Sequence, residues 1–173
     1  MSEKSVAVVG VGNALMADDG VGPAAIEALQ KAGQAEKADL VDAGTAFHEA
    51  VFDLESYEKL IVVDAVQGGE EPGAIYRFEL NDIRDAKELP FRHLSVHELS
   101  VLPTLLLQEL GGKRFSEIVF IGVEPEKIEW HIGLSDLLNS LMPRLTEVLI
   151  EEIGKQASSN KEERDERNKP ETP

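Results

Sequence analysis

The sequence predicts a three-layer α/β/α domain with a mixed, mostly parallel twisted sheet of about five strands. Short apolar segments of strand character alternate along the chain with segments whose apolar residues recur at helical spacing. This alternation is typical of helices that cover both faces of a sheet. Residues 59–66 are apolar on both faces, as in a central parallel strand. The 173 residues suffice for one such domain and are too few for two ordinary ones.

The first half of the chain predicts strand, helix, strand and helix in that order. Residues 6–10 form a short apolar run that ends in glycine. Gly22-Pro23 then opens a helix, and Pro23 suits its first position because proline has no N–H to leave unpaired there. Residues 40–42 form a brief second strand, and residues 47–54 have helical spacing.

The direction of one strand follows from the length of a link. The strand at residues 59–66 is followed by another at residues 74–80, and only residues 67–73 join them. A parallel crossover needs about a dozen residues or more. We therefore expect this pair to be antiparallel, which makes the sheet mixed.

Three further elements complete the domain. A helix begins at Val96, a strand covers residues 117–122, and a final helix covers residues 136–153. Ser135 is positioned to cap the final helix, because a serine hydroxyl at this place accepts an unpaired backbone N–H of the first turn.

The sequence changes character after the final helix. Residues 155–173 alternate acids, bases and small polar residues. Such a segment cannot bury enough apolar surface to offset the entropy lost on ordering. We therefore expect a folded domain at residues 1–154 and a disordered tail at residues 155–173.

Composition excludes several partners and chemistries. The net charge of −16 argues against nucleic acid, which is bound through basic surfaces. The absence of cysteine rules out disulfides, cysteine-type zinc sites and thiol catalysis. The N-terminal residues lack the apolar stretch of a signal peptide, and no apolar run approaches the roughly 18–20 residues of a membrane span. We expect a cytoplasmic protein without membrane insertion and, from its size, a monomer.

Acidic residues and one histidine follow strands that end at the same edge. Ligands bind beyond the carboxyl ends of the strands in an open α/β sheet. Asp18 and Asp19 lie in a glycine-flanked loop after the first strand, Asp64 ends the third strand, and His97 stands at the start of the following helix. Two carboxylates and an imidazole from separate elements suit nickel or zinc and leave coordination positions open.

Each of these residues also has a plainer interpretation. Asp64 could cap or hydrogen-bond a neighbouring loop, and adjacent acids such as Asp18 and Asp19 are usually solvated. His97 could be an ordinary first-turn histidine. The S-x-x-E spacing around His97 is that of a capping box. It would hold His97 in the first turn, where the helix dipole favours a neutral ring able to bind metal.

The glycines at residues 10–12 also suggest a dinucleotide-binding site. Two glycines fit that pattern, and Asp42 at the end of the second strand could bind the ribose. However, Leu15 occupies the place of the third glycine, and Asp18 and Asp19 would repel a pyrophosphate at the helix start. We therefore disfavour this interpretation.

Five motifs together resemble those of the nickel–iron hydrogenase maturation endopeptidases. They occur in the expected order and span essentially the whole predicted domain, without the tail. The first of them is fairly specific. The motifs are Gly10-Val11-Gly12-Asn13 with Asp18-Asp19-Gly20-Val21-Gly22, Asp42-Ala43-Gly44-Thr45, Val63-Asp64-Ala65, Ser95-Val96-His97-Glu98-Leu99 and Ile121-Gly122-Val123-Glu124-Pro125.

The resemblance implies a specific activity. Family members remove a C-terminal extension from the hydrogenase large-subunit precursor after nickel insertion. The nickel contacts fall on Asp19, Asp64 and His97, and the nickel is expected to come with the substrate; another divalent metal could substitute. Asp19 or Asp64 would act as general base. The nickel would either act as a Lewis acid or serve only to recognise the loaded precursor.

Other residues near this edge are weaker candidates. Asp42, Thr45 and Glu49 could support the three main residues or contact substrate, with loop capping as the alternative for Thr45. Glu124 and Glu126, at a strand end, could meet the precursor's extension. A non-catalytic nickel-binding escort of the precursor is the alternative function, because it would need the same ligands.

Overall fold

A five-stranded mixed sheet forms the centre of the protein. The computed structural model describes residues 5–54, 57–80, 101, 104–105 and 115–155. The sheet has the order β2-β1-β3-β5-β4, and all neighbouring pairs are parallel except β4–β5. The strands are β1 (Val6–Val11), β2 (Asp39–Gly44), β3 (Lys59–Ala65), β4 (Ile75–Glu79) and β5 (Glu117–Val123). The predicted fold class is confirmed.

Helices cover both faces of this sheet. One face packs on α1 (Val21–Lys31) and α3 (Asp136–Gly154). The other packs on α2 (Phe47–Ala50) and the 3-10 helix Val51–Leu54 that continues it. Strand residues alternate between the two cores, as the pleat requires. No helix in the described ranges is long and apolar enough to cross a membrane.

Helix starts agree with the sequence in one case and shift in another. Ser135 caps α3 as predicted, because its hydroxyl accepts the Leu138 N–H at 3.2 Å. Pro23 is the third residue of α1 rather than the first. This position costs no hydrogen bond, since the N–H groups of a first turn have no partner within the helix. Of the helix predicted from Val96, only Val101, Thr104 and Leu105 are described, and all three are helical; its start and the predicted tail from residue 156 onward lie outside the described residues.

The prediction that β3 and β4 run antiparallel in a mixed sheet is confirmed, but the two strands are not neighbours. β4 is antiparallel to the other strands, but it pairs with β5 in the register Ile75↔Val123. β5 lies between β3 and β4. Every residue of β5 is buried, whereas β4 is only partly buried. Because a strand that is apolar on both faces is stable only when covered on both, β5 takes the inner position and β4 the edge.

Two glycines allow α1 to cross the sheet at backbone contact. A Cβ atom on Gly22 would lie 2.1 Å from the Val11 oxygen and 2.6 Å from the Val63 oxygen. A Cβ on Gly10 would lie 2.4 Å from the Gly22 oxygen. Gly10, one of the two glycines that suggest a dinucleotide motif, therefore serves helix–strand packing. This packing sets the loop before α1 directly on the carboxyl ends of β1 and β3.

A buried ion cluster lies at the opposite end of the sheet. Lys59 begins β3 and is fully buried. Its Nζ donates to Glu152 at 2.8 Å and lies 3.5 Å from Glu117. Glu152, in the last turn of α3, also accepts hydrogen bonds from Arg77 at 2.9 Å and Lys155 at 2.8 Å. The cluster joins α3 to the starts of β3 and β5.

This cluster predicts a loss of stability in acid. Burial raises the pKa of Glu152, but hydrogen bonds from Arg77, Lys155 and Lys59 outweigh it and lower the pKa to about 2. A carboxyl with a depressed pKa stabilises the fold above its unfolded value, here 4.5, and loses that contribution as the pH falls toward 2. Glu152→Gln should therefore cost on the order of 3 kcal/mol near neutral pH and progressively less in acid.

Urea unfolding at a series of pH values measures this difference. Glu147→Gln is the matched control, because Glu147 is an exposed acid of the same helix. We expect that control to stay within about 0.5 kcal/mol of the original protein at every pH. A Glu152→Gln deficit that does not shrink in acid would contradict the assignment.

Candidate functional site

The loop between β1 and α1 carries two buried acids. Ala17–Gly20 form a 3-10 turn in which Asp18 is fully buried and Asp19 is 6% exposed. The plainer interpretation, in which Asp18 and Asp19 are solvated, is therefore wrong. A buried carboxylate is costly unless its oxygens are hydrogen-bonded or paired with a cation, so the partners of each acid indicate its purpose.

Asp18 is a structural residue. Its Oδ1 accepts the Ser135 N–H at 2.7 Å, and its Oδ2 accepts the N–H groups of Glu126 at 2.9 Å and Lys127 at 3.1 Å. The Asp18 N–H donates to the Lys127 oxygen at 3.2 Å. This one side chain thus holds both ends of the loop between β5 and α3 against the loop before α1.

Asp19 lies at the carboxyl end of β1. Its Oδ2 accepts the Asn13 N–H at 2.9 Å, and its own N–H donates to the Met16 oxygen at 3.2 Å. These bonds fold the loop back over Gly12. A Cβ on Gly12 would lie 1.8 Å from the Asp19 carbonyl oxygen, and Gly12 has φ +134°, where side chains are strained. Only glycine lets Asp19 approach the strand end this closely.

Asp64 reaches the same place from β3. It is 5% exposed, and its Oδ1 accepts the Ala65 N–H at 2.8 Å. That Oδ1 would be 3.7 Å from a Cβ on Gly12, so the Asp64 carboxylate and the Asp19 backbone oxygen both lie beside Gly12. Asp64 is in register with Gly122 of β5, which has no side chain to crowd it. The structure therefore places two of the three predicted site residues beside the same glycine.

His97, the third predicted nickel contact, lies outside the described residues. Within the described ranges, no group of three histidine, cysteine or acidic side chains could hold a metal ion. The chemistry of the pair nevertheless fits a divalent ion. Asp19 and Asp64 offer carboxylate oxygens, and a nitrogen donor would complete a set that nickel or zinc accepts.

The weaker candidates at this edge are exposed. Asp42 lies near the end of β2, and its Oδ1 accepts the Gly44 N–H at 3.0 Å, which closes a turn. Thr45 is exposed on the same turn, and Glu49 is an exposed residue of α2. Asp42 thus has a turn-closing role of its own. Contact of these three residues with a substrate stays a prediction.

Glu124 is buried rather than presented to a partner. Its Oε2 accepts the N–H groups of Gly68 at 2.8 Å and Gly69 at 3.0 Å, and the Tyr76 hydroxyl donates to the same oxygen. The pKa of Tyr76 is raised to about 12, mainly by burial and to a lesser extent by this hydrogen bond. Glu124 therefore anchors the turn between β3 and β4. The prediction that it meets the precursor's extension is inconsistent with this burial.

Comparison with known proteins gives a consistent result. The model of the hydrogenase maturation protease family HycI matches residues 23–152, a range that begins just after Asp19 and includes Asp64. The coenzyme F420 hydrogenase subunit delta of Methanothermobacter thermautotrophicus is 34% identical, over 88% of this chain and 96% of that protein. The hydrogenase 2 maturation protease of Escherichia coli is 31% identical, over 83% of this chain and 88% of that protein.

A solved structure agrees with the sequence relatives. The hydrogenase maturating endopeptidase HybD from E. coli superposes with a TM-score of 0.70 at 26% identity, over 83% of this chain and 88% of that one. The family model covers most of the chain, and the sequence relatives cover it at more than 30% identity. The chain therefore belongs to the hydrogenase maturation protease family and is a hydrolase of the endopeptidase type.

Proposed function

We propose that this endopeptidase removes the C-terminal extension of a nickel–iron hydrogenase large-subunit precursor after nickel has been inserted. Family membership supports the peptidase activity. The observation that supports the proposal most is that two buried acidic residues, Asp19 and Asp64, both lie beside Gly12 at the carboxyl edge of the sheet. This edge is where open α/β sheets bind their ligands.

In this proposal Asp19, Asp64 and His97 contact the nickel of the substrate. Two carboxylates in a shielded position repel each other and attract a divalent cation. A precursor that already holds nickel is therefore bound more tightly there than an empty one, which gives the protease a means to act only after metal insertion. The nickel is a part of the substrate, and another divalent ion of similar chemistry could take its place.

The peptide bond is hydrolysed by water with help from a carboxylate. Asp19 or Asp64 takes a proton from the attacking water, and this general-base step contributes about 10²–10⁴-fold to the rate. The substrate's nickel either supplies Lewis-acid chemistry at the carbonyl or the water, or its only role is to position the loaded precursor. Both versions require the two carboxylates to be ionised and close to the scissile bond.

The test compares nickel-loaded with nickel-free precursor. Each is incubated with the protease, and the intact mass of the large subunit is measured over time. We expect a C-terminal peptide to be lost from the loaded form only. Loss from both forms would overturn the nickel contact and retain the trimming activity. Binding without cleavage of either form would instead support a nickel-binding escort of the precursor and overturn the peptidase proposal.

A further inference from the structure

Three large apolar side chains are exposed beside the loop that carries Asp19. Leu15 is 43% exposed, Trp130 76% and Ile132 77%. We call these three residues the Trp130 patch. Exposed apolar residues of this size on neighbouring loops are unusual in a protein with a net charge of −16. Contiguous exposed apolar surface marks places where a partner binds.

The Trp130 patch is held in place by backbone pairing. The His131 N–H donates to the Leu15 oxygen at 3.0 Å, and the Ala17 N–H donates to the His131 oxygen at 2.8 Å. These bonds form a parallel bridge between Met16 and His131. Leu15 and the segment from Trp130 to Ile132 therefore lie side by side, and their exposed side chains come from adjacent backbone.

Buried Asp18 fixes the loop on which the patch lies. It binds the N–H groups of Glu126, Lys127 and Ser135, at the two ends of the segment that carries Trp130 and Ile132. The exposure of these two side chains is thus a feature of an anchored loop. An anchored apolar surface loses little entropy on binding, which favours recognition.

A groove extends from the patch toward α1. Its volume is about 480 Å³, and Ile132 forms part of its wall. Small or apolar residues supply much of the remainder, among them Ala14, Ala17, Pro23, Ala24 and Leu134. A groove of this size and character can accept apolar side chains of a protein segment laid over the patch.

The charges around the patch and groove are mostly negative. Glu126 is exposed beside the patch, and Asp42 is exposed in the groove wall. Two nearby lysines are each paired with an acid: Lys127 lies 3.3 Å from Glu129, and Lys31 pairs with Glu27 of the groove wall. A second copy of this chain would bring like charges together across the contact. A segment with apolar residues and basic neighbours fits instead.

We propose that the Trp130 patch and its groove dock an apolar segment, flanked by basic residues, of the precursor that this protease trims. The inference rests on the proposed function and adds the surface that holds the precursor while its C-terminus lies at Asp19 and Asp64. Tryptophan is among the residues that contribute most to binding when a partner buries them. The patch therefore governs affinity for the precursor and does not take part in hydrolysis.

The single tryptophan of the chain allows a direct test. The full-length protease is labelled with 5-fluorotryptophan and mixed with unlabelled large-subunit precursor. The one ¹⁹F signal, from Trp130, should shift or broaden when the precursor binds. In parallel, Trp130→Ser with Ile132→Ser should raise the KM for trimming about tenfold or more, with kcat within about twofold. Phe52→Ser is the matched control, because Phe52 is exposed on the 3-10 helix Val51–Leu54, away from the patch.

Each outcome separates the docking surface from the trimming activity. If the original protein trims but the double variant keeps its KM and the ¹⁹F signal does not respond, the docking surface is overturned and the function stands. If nothing is trimmed but the signal responds to precursor, the docking surface stands and the peptidase proposal fails. If the double variant dissociates a dimer of the original protein, seen by light scattering, the patch is a contact between copies and the proposal is overturned.

Discussion

Asp64→Asn and Asp19→Asn are each expected to slow precursor trimming by about 10²–10⁴-fold without unfolding the domain. Asparagine has nearly the shape of aspartate, and its amide oxygen can keep the bond from the Ala65 N–H or the Asn13 N–H. It carries no charge to attract the substrate's nickel and cannot accept a proton from water at neutral pH. The measurement is kcat/KM from the intact mass of nickel-loaded precursor, with circular dichroism as the check on folding.

Asp53→Asn is the matched control for this experiment. Asp53 is an exposed acid of the 3-10 helix Val51–Leu54 and belongs neither to the proposed site nor to the groove. We expect its trimming rate to stay within about twofold of the original. His97→Ala should lose activity to a similar degree as the two site variants. Undiminished trimming by the Asp19, Asp64 or His97 variant would remove that residue from the site.

How far the fold could be predicted depended on what the sequence pattern specifies. The apolar character of residues 59–66 indicated a central strand, because a strand that is buried on both faces has apolar residues on both faces. The short link after it indicated the direction of β4 correctly. It could not reveal that β5 separates β3 from β4, because strand order is decided by contacts distant in sequence.

The site shows the same division. Ligands of open α/β sheets bind at the carboxyl ends of the strands. This rule placed Asp19 and Asp64 near each other, because it depends only on strand direction. The burial of both loop acids was missed. The donors that bind Asp18 come from Glu126, Lys127 and Ser135, more than a hundred residues away along the chain. No local sequence pattern indicates such distant partners, so a buried structural aspartate cannot be distinguished from a solvated one by sequence.

Asp18→Asn is expected to destabilise the domain by about 2–4 kcal/mol, although the substitution conserves shape. Both carboxylate oxygens of Asp18 accept backbone N–H groups, Oδ1 from Ser135 and Oδ2 from Glu126 and Lys127. An amide nitrogen in place of either oxygen would face donors with a donor, and each buried N–H left unpaired costs about 1–3 kcal/mol. The free energy of unfolding, measured with urea, is the readout.

The neighbouring residue supplies the decisive comparison for this prediction. Asp19→Asn keeps an acceptor for the Asn13 N–H, so it should stay within about 1 kcal/mol of the original stability. The two adjacent aspartates should therefore differ in what they affect. Asp18 governs stability and the position of the loop that carries Trp130, and Asp19 governs trimming. Equal stability of the two variants would contradict the structural role of Asp18, because asparagine leaves at least one of the three N–H donors without its acceptor.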